Sequence, residues 1–332
     1  MSKLPNKVPN KISPSTTNIE RDDIYIIGRH SNWSENGVDK FLKERVYNNA
    51  VSWGKFLRLL FISLGVTFST AGIIFFFAYN WQELHKFAKI GLIEGLIVIT
   101  TLIVLFSKLK LGIKNIVLTG ISVLVGVLFA VFGQIYQTGA NAYDFFLGWT
   151  MFITLWVLVA NFAPLWLVYI TLINTTVVLY AEQVAHNWSG SFIFLLLFVI
   201  NTSFLLLGLW GSNVRPGTHF PRWFSNVLAL AAVSITTIGI TVGIFDDQGT
   251  FFWILFLVTA IAFTLGMRYG LTHKRIFYLA VIPFSLIVMV SAFLINVTDD
   301  PGMFLVVCLF LIASVTAVIK SLINIQKKWA NE

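Results

Sequence analysis

One acidic residue stands inside a long apolar stretch, where an ionisable group is costly. Glu94 follows Phe87 by seven residues, a rise of roughly 10 Å if the stretch is helical. A carboxyl group at that depth can bind a proton, a cation or the amine of a solute. It can equally be protonated or hydrogen-bonded and hold neighbouring helices together. The residue type and its position leave both interpretations open.

Two glycines flank Glu94 at helical spacing. Gly91 and Gly95 are four residues apart and therefore lie on nearly the same face of a helix. Small residues at this spacing let another helix approach closely. The sequence therefore predicts a close helix contact beside the carboxyl group.

The elements that carry these residues are predicted from composition. Of the 332 residues, 57% are hydrophobic and 11% are charged, whereas roughly a quarter of residues are charged in a soluble domain. Many apolar segments exceed the ~18 residues that cross a bilayer. The sequence predicts an all-α, polytopic integral membrane helix bundle of about ten transmembrane helices. The predicted spans are 56–79, 87–106, 113–133, 145–162, 165–182, 192–210, 224–244, 251–268, 276–296 and 302–322.

The charges predict the orientation of these helices. Basic residues are concentrated in the N-terminal region, in alternate loops and in the C-terminal tail, whereas the intervening loops carry acids; only the first loop is mixed. Cytoplasmic loops of membrane proteins carry the excess of Lys and Arg. The pattern places both termini in the cytosol, with the lipid bilayer as the surrounding partner. It also accounts for the net charge of +8 without a nucleic-acid partner, which we do not expect.

This orientation brings several polar residues to the same side of the membrane as Glu94. Helix one ends outside, helix two begins there, and helix three ends there before helix four begins. We therefore predict a polar pocket in the outer third of helices one to four. The candidate ligand-site residues are Glu94, Asn80, Trp81, Gln134, Tyr136, Gln137, Asn141 and Asp144.

Two sequence blocks in this region carry a family resemblance. The first is Phe77-Ala78-Tyr79-Asn80-Trp81, followed by Lys89, and the second is Gly133-Gln134-Ile135-Tyr136-Gln137-Thr138-Gly139-Ala140. Together they resemble the bacterial membrane-protein family catalogued as domain of unknown function 2157. The resemblance covers about residues 40–185. It implies a multi-pass protein of the bacterial cytoplasmic (inner) membrane and brings no activity with it.

Other residues predict contacts between helices and the organisation of the whole chain. Asn174 and Asn201 are predicted to form hydrogen bonds between helices, and Gly239 with Gly243 is predicted to be a packing face. The predicted organisation is a disordered N-terminus at 1–20, a short, partly helical cytosolic segment at 21–55, five helices with the family blocks at 56–185, five further helices at 190–322 and a cytosolic tail at 323–332.

The function that these observations favour is binding or translocation of a small solute or ion at the polar site near Glu94. The alternative is a non-transporting membrane scaffold or accessory subunit, in which the same residues only pack helices. We expect no enzyme, because the chain has no HExxH motif, phosphate-binding loop or Gly-x-Ser-x-Gly motif. The only cysteine is Cys308, and we expect neither a cofactor nor a metal site.

Overall fold

The structure is a computed structural model, and it describes residues 36–37, 50–79, 85–136, 139, 141–214, 220–246, 248–297 and 300–331. Within these residues it contains ten helices that are long and apolar enough to cross a membrane. The prediction of an all-α protein with ten spans is confirmed. The helices are α1 Ala50–Tyr79, α2 Lys86–Phe106, α3 Leu111–Tyr136, α4 Ala142–Ala160, α5 Ala163–Gln183, α6 Gly190–Val214, α7 Arg222–Phe245, α8 Thr250–Thr272, α9 Ile276–Val297 and α10 Pro301–Asn331.

The predicted spans differ from these helices mainly at the two ends of the chain. The first helix begins at Ala50 rather than at 56, and the last continues to Asn331 rather than ending at 322. Hydropathy finds the part of a helix that lies in hydrocarbon, and a helix can continue past it on either side. Residues 1–20 lie outside the described part of the chain.

The chain divides into two compact units, Met1–Phe68 and Ser69–Glu332. In the first unit, the described side chains are largely exposed and apolar: Trp53 is 53% exposed, Phe61 65% and Phe68 71%. Large apolar side chains on an outer helix surface are typical of contact with lipid.

In the second unit, the largest cluster of buried side chains joins α6, α7, α8 and α9. Ile240, Leu255 and Ile282 lie within it. Gly239 and Gly243 of α7 make this packing close, because a Cβ atom added to them would lie 2.6 Å from Phe194 and 2.5 Å from Phe252. The predicted packing face of α7 is confirmed.

A second cluster joins α3, α4 and α5, with Ile153 and Leu165 fully buried. Only Asn161 and Phe162 separate α4 from α5. Asn161 ends α4 in the left-handed conformation, with φ of 44°, and its backbone N–H donates to the Val157 carbonyl at 3.1 Å. Asn tolerates this conformation better than most residues, so the local sequence produces a tight hairpin between α4 and α5.

Candidate functional site

Three of the four helices that were predicted to carry the site meet around a small apolar cluster. Phe77 of α1, Ile93 of α2 and Val131 of α3 are buried in contact with one another. Ile93 has no exposed surface, so this face of α2 points inward.

Glu94 lies on another face of α2. It follows Ile93 directly, so it is turned by about 100° around the helix, and its side chain is exposed. Among the described residues, no hydrogen bond reaches its carboxyl group. The acid that the sequence places deep in a span therefore lies on the outer surface of this chain.

The glycines beside Glu94 likewise have no neighbouring helix packed against them in the described part of the chain. A Cβ atom added to Gly91 or Gly95 would meet no other atom within 4 Å. The close helix contact predicted from their spacing is not made within the described part of this chain. The reason is rotational: spacing shows that two glycines share a face, but it does not show which way that face points.

Two other glycines in the first half of the protein, both in α3, lie directly against side chains of a neighbouring helix. A Cβ atom on Gly133 would lie 2.6 Å from the Phe145 ring, and one on Gly126 would lie 2.6 Å from the Trp149 ring. The indole N–H of Trp149 donates to the Ser122 carbonyl at 2.6 Å. The second family block thus contributes a close contact between α3 and α4.

Lys89 is the ionisable residue that α2 turns inward. It precedes Ile93 by four residues, on the same helix face, and only 8% of its surface is exposed. Sequence analysis assigned it to the family pattern and to the charge of the first loop, not to the site. The signal that identifies it is its helical spacing with Ile93.

The remaining candidate residues fall into three groups. Gln134 and Tyr136 lie exposed on the last turn of α3, where the Tyr136 ring packs on Phe132 with ring centroids 4.6 Å apart. Asn141 and Asp144 are brought together at the start of α4. Asn80, Trp81 and Gln137 lie outside the described residues.

Asp144 stabilises the N-terminus of α4. Its carboxylate accepts a hydrogen bond from the Asn141 backbone N–H at 3.1 Å, and its own backbone N–H donates to the Asn141 carbonyl at 3.1 Å. An acid in the first turn also interacts favourably with the helix dipole. Nearby, the Tyr143 N–H donates to the Gln183 side chain at 3.1 Å, which joins the start of α4 to the end of α5.

Both family blocks lie in a part of the chain that matches a known protein family. Residues 42–166 match the family described as predicted membrane protein, DUF2157. The match contains both blocks and confirms the resemblance, while the helices from α6 onward lie beyond it. The DUF2157 description assigns no activity. No curated protein and no solved structure matches this chain.

No site was predicted in the second half of the protein, yet the structure has cavities there. One, of about 190 Å³, is lined by polar side chains that include Arg222, Asn226 and Arg275. Another, of about 340 Å³, is lined largely by apolar side chains of α6, α7, α8 and α9. Arg222 and Arg275 are far apart in sequence, and in the charge pattern they indicated only which side of the membrane their loops occupy.

Proposed function

We propose that this protein is a non-enzymatic scaffold of the bacterial cytoplasmic membrane, in which two copies associate through the Gly91–Glu94–Gly95 face of α2. In this proposal both termini lie in the cytosol, as the distribution of Lys and Arg favours. The observation that carries the proposal is the exposure of Glu94 together with the open space beside both glycines.

The first support is the cost of leaving Glu94 exposed to lipid. An ionisable side chain in a span almost always faces other protein groups or a water-filled cavity. The described part of this chain offers the Glu94 carboxyl group neither a donor nor a covering helix. A second protein chain on this face removes the carboxyl group from contact with lipid.

The second support is the shape of the face. Gly91, Gly95, Val98 and Leu102 follow one another at helical spacing, and Val98 and Leu102 are 54% and 47% exposed. Two copies of a Gly-x-x-x-Gly face fit each other closely, because neither backbone is held away by a side chain. Such a two-fold contact is self-complementary, since each face meets its own copy.

The third support is that Glu94 can pair with its own copy. Near a two-fold axis the two carboxyl groups approach each other, within reach of a hydrogen bond between the chains. Each polar side chain then has a protein partner inside the membrane.

Cysteine cross-linking in native membranes tests this proposal. In a Cys308→Ser background, cysteine is placed singly at Val98 or at Leu102, and we expect a disulfide-linked dimer from each. Ile103→Cys is the matched control, because Ile103 is 53% exposed but lies about 100° round the helix from Leu102. It should remain monomeric.

A second pair of variants checks that the glycines make the contact. Gly95→Leu should abolish most of the cross-link at position 98. Gly112→Leu, at another glycine with nothing within 4 Å of an added Cβ, should leave the cross-link unchanged. Equal cross-linking at 98 and 103 would show random collisions, and no cross-link at 98 or 102 would reject the dimer.

Binding or translocation of a small solute or cation at Glu94 is the second candidate function. The observation that favours it is that the side chains of Glu94, Gln134 and Tyr136 make no hydrogen bond to other described residues, which leaves their polar groups available to a solute. A thermal-stability screen of solutes and ions tests it on wild type and Glu94→Gln. A ligand that stabilises only wild type supports this function. If no ligand shifts the unfolding temperature of wild type, it is rejected.

A further inference from the structure

Two cavities of the second half lie side by side and share part of their lining. Leu209, Tyr269 and Tyr278 line both the polar cavity of about 190 Å³ and the apolar cavity of about 340 Å³. The rings of Tyr269 and Tyr278 pack edge to face, with centroids 5.3 Å apart, and so form a common wall. The smaller cavity is the polar, basic end of this pair, and the larger cavity is the apolar end.

The polar end carries positive charge and hydrogen-bond donors. Arg222, Ser225, Asn226 and Arg275 line it together with the two tyrosines, and no acidic side chain is among its described lining residues. Between 211 and 222 and between 266 and 278, the sequence contains no Asp or Glu. The cavity is therefore complementary to an anion.

Backbone geometry fixes both arginines at this end. Arg222 is the first residue of α7, whose N-terminus itself favours negative charge. Arg275 follows Lys274, which has a φ of 52°, and the Arg275 N–H donates to the Gly270 carbonyl at 2.7 Å. This bond closes the turn between α8 and α9 in the manner of a Schellman cap.

The apolar end extends between the helices. Its lining includes Phe198 and Leu205 of α6, Ala232 of α7, Ala262 of α8 and Ile282 of α9. The ends of α6 and α8 and the starts of α7 and α9 meet at the polar cavity, so the apolar cavity runs from there toward the middle of the membrane.

We propose that these two adjacent cavities together bind an anionic phospholipid, with its phosphate at Arg222 and Arg275 and one acyl chain between α6, α7, α8 and α9. A soluble phosphate compound matches the basic end alone, whereas a phospholipid matches both ends. Basic pockets between transmembrane helices on the cytoplasmic side are suited to anionic head groups. This site is separate from the α2 face and does not depend on the proposed dimer.

Lipid binding to the purified full-length protein in detergent tests the proposal. Native mass spectrometry measures retention of phosphatidylglycerol and of phosphatidylcholine with the same acyl chains, and we expect preferential retention of phosphatidylglycerol. Replacing both arginines, Arg222→Gln with Arg275→Gln, should weaken its binding on the order of tenfold or more, given the attraction of each basic group to an anionic lipid. Lys320→Gln is the control, because Lys320 is an exposed basic residue of α10 and lines neither cavity; it should bind as wild type does.

Ala262→Phe separates a lipid from a soluble phosphate compound. It fills the apolar cavity and leaves both arginines in place, so it should reduce binding of phosphatidylglycerol. Glycerol phosphate, measured by thermal stabilisation, should have little effect on wild type. Equal retention of the two lipids, or equal loss in Lys320→Gln and in the double variant, would overturn the proposal. Stabilisation by glycerol phosphate together with unchanged lipid binding in Ala262→Phe would show a soluble phosphate ligand instead.

Discussion

Asn174 of α5 and Asn201 of α6 are joined by two reciprocal hydrogen bonds between their side-chain amides. The Asn174 Nδ2 group donates to Asn201 Oδ1 at 3.2 Å, and Asn201 Nδ2 donates to Asn174 Oδ1 at 3.0 Å. Asn201 also donates to the Leu197 carbonyl of its own helix at 2.8 Å and is 1% exposed. The two asparagines were predicted to bond between helices, and the structure confirms it.

Breaking this pair should destabilise the protein measurably. Asn174→Leu or Asn201→Leu each leaves one amide in an apolar interior without its partner. We expect each to lower the free energy of unfolding by about 1 kcal/mol. Because both single variants lose the same bonds, the double variant should cost less than the sum of the two. Denaturation in detergent measures all three, and strict additivity would show that the pair is not coupled.

The close contact between α3 and α4 predicts that substitutions at two glycines of α3 change stability in opposite directions. Gly133→Ala places a methyl group against the Phe145 ring, and overpacking of this kind costs roughly 1–3 kcal/mol. Gly112→Ala has open space and gains the better helix propensity of Ala, which stabilises a helix by about 0.5–1 kcal/mol. Thermal unfolding should therefore move in opposite directions for the two variants. A similar shift in both would contradict the close ring contact at Gly133.

The inward position of Lys89 predicts a marked sensitivity to charge reversal. A buried cation must be compensated by acceptors or counter-charges around it, so Lys89→Glu would place an anion among groups arranged for a cation. We expect a loss of about 3 kcal/mol or more in unfolding free energy. Lys86→Glu is the control, because Lys86 is exposed at the start of the same helix. Equal stability of the two variants would be inconsistent with a buried Lys89.

The hydrogen bond between side chains of α7 and α9 should contribute less to the free energy of unfolding than Lys89 does. The Thr237 and Ser285 hydroxyl groups lie 2.6 Å apart, and Ser285 is 6% exposed. Ser285→Ala removes this interhelical bond and should lower the unfolding free energy by about 1 kcal/mol or less. Ser203→Ala, in which the exposed hydroxyl donates only to the Val199 carbonyl of its own helix, should have little effect. The unfolding midpoints of the two variants give the comparison.

Sequence analysis predicted the fold better than it predicted the site, and the reason is geometric. A span needs only a long apolar stretch, so all ten helices were found from hydropathy. Depth in a span is also visible in the sequence, which is why Glu94 was singled out. Rotation about the helix axis is not visible until neighbours are placed, and it is rotation that turns Glu94 outward and Lys89 inward.

Contacts between residues that are far apart in the sequence could not be predicted either. Gly239 and Gly243 could be recognised as a packing face because both glycines belong to one helix. Arg222 begins α7 and Arg275 lies in the turn before α9, and only the packing of α7 on α9 brings them to one cavity. The predicted polar pocket of helices one to four stays a prediction, since Asn80, Trp81 and Gln137 lie outside the described residues.

The mass of the protein in solution tests the central claim of association through α2 most directly. Light scattering after size-exclusion chromatography, corrected for bound detergent and lipid, should give twice the 37.3 kDa of one chain for wild type. The double variant Gly91→Leu, Gly95→Leu should give the mass of one chain, while Gly112→Leu should remain dimeric. A wild-type protein of one-chain mass, or a double variant that is still dimeric, would contradict association through the Glu94 face of α2.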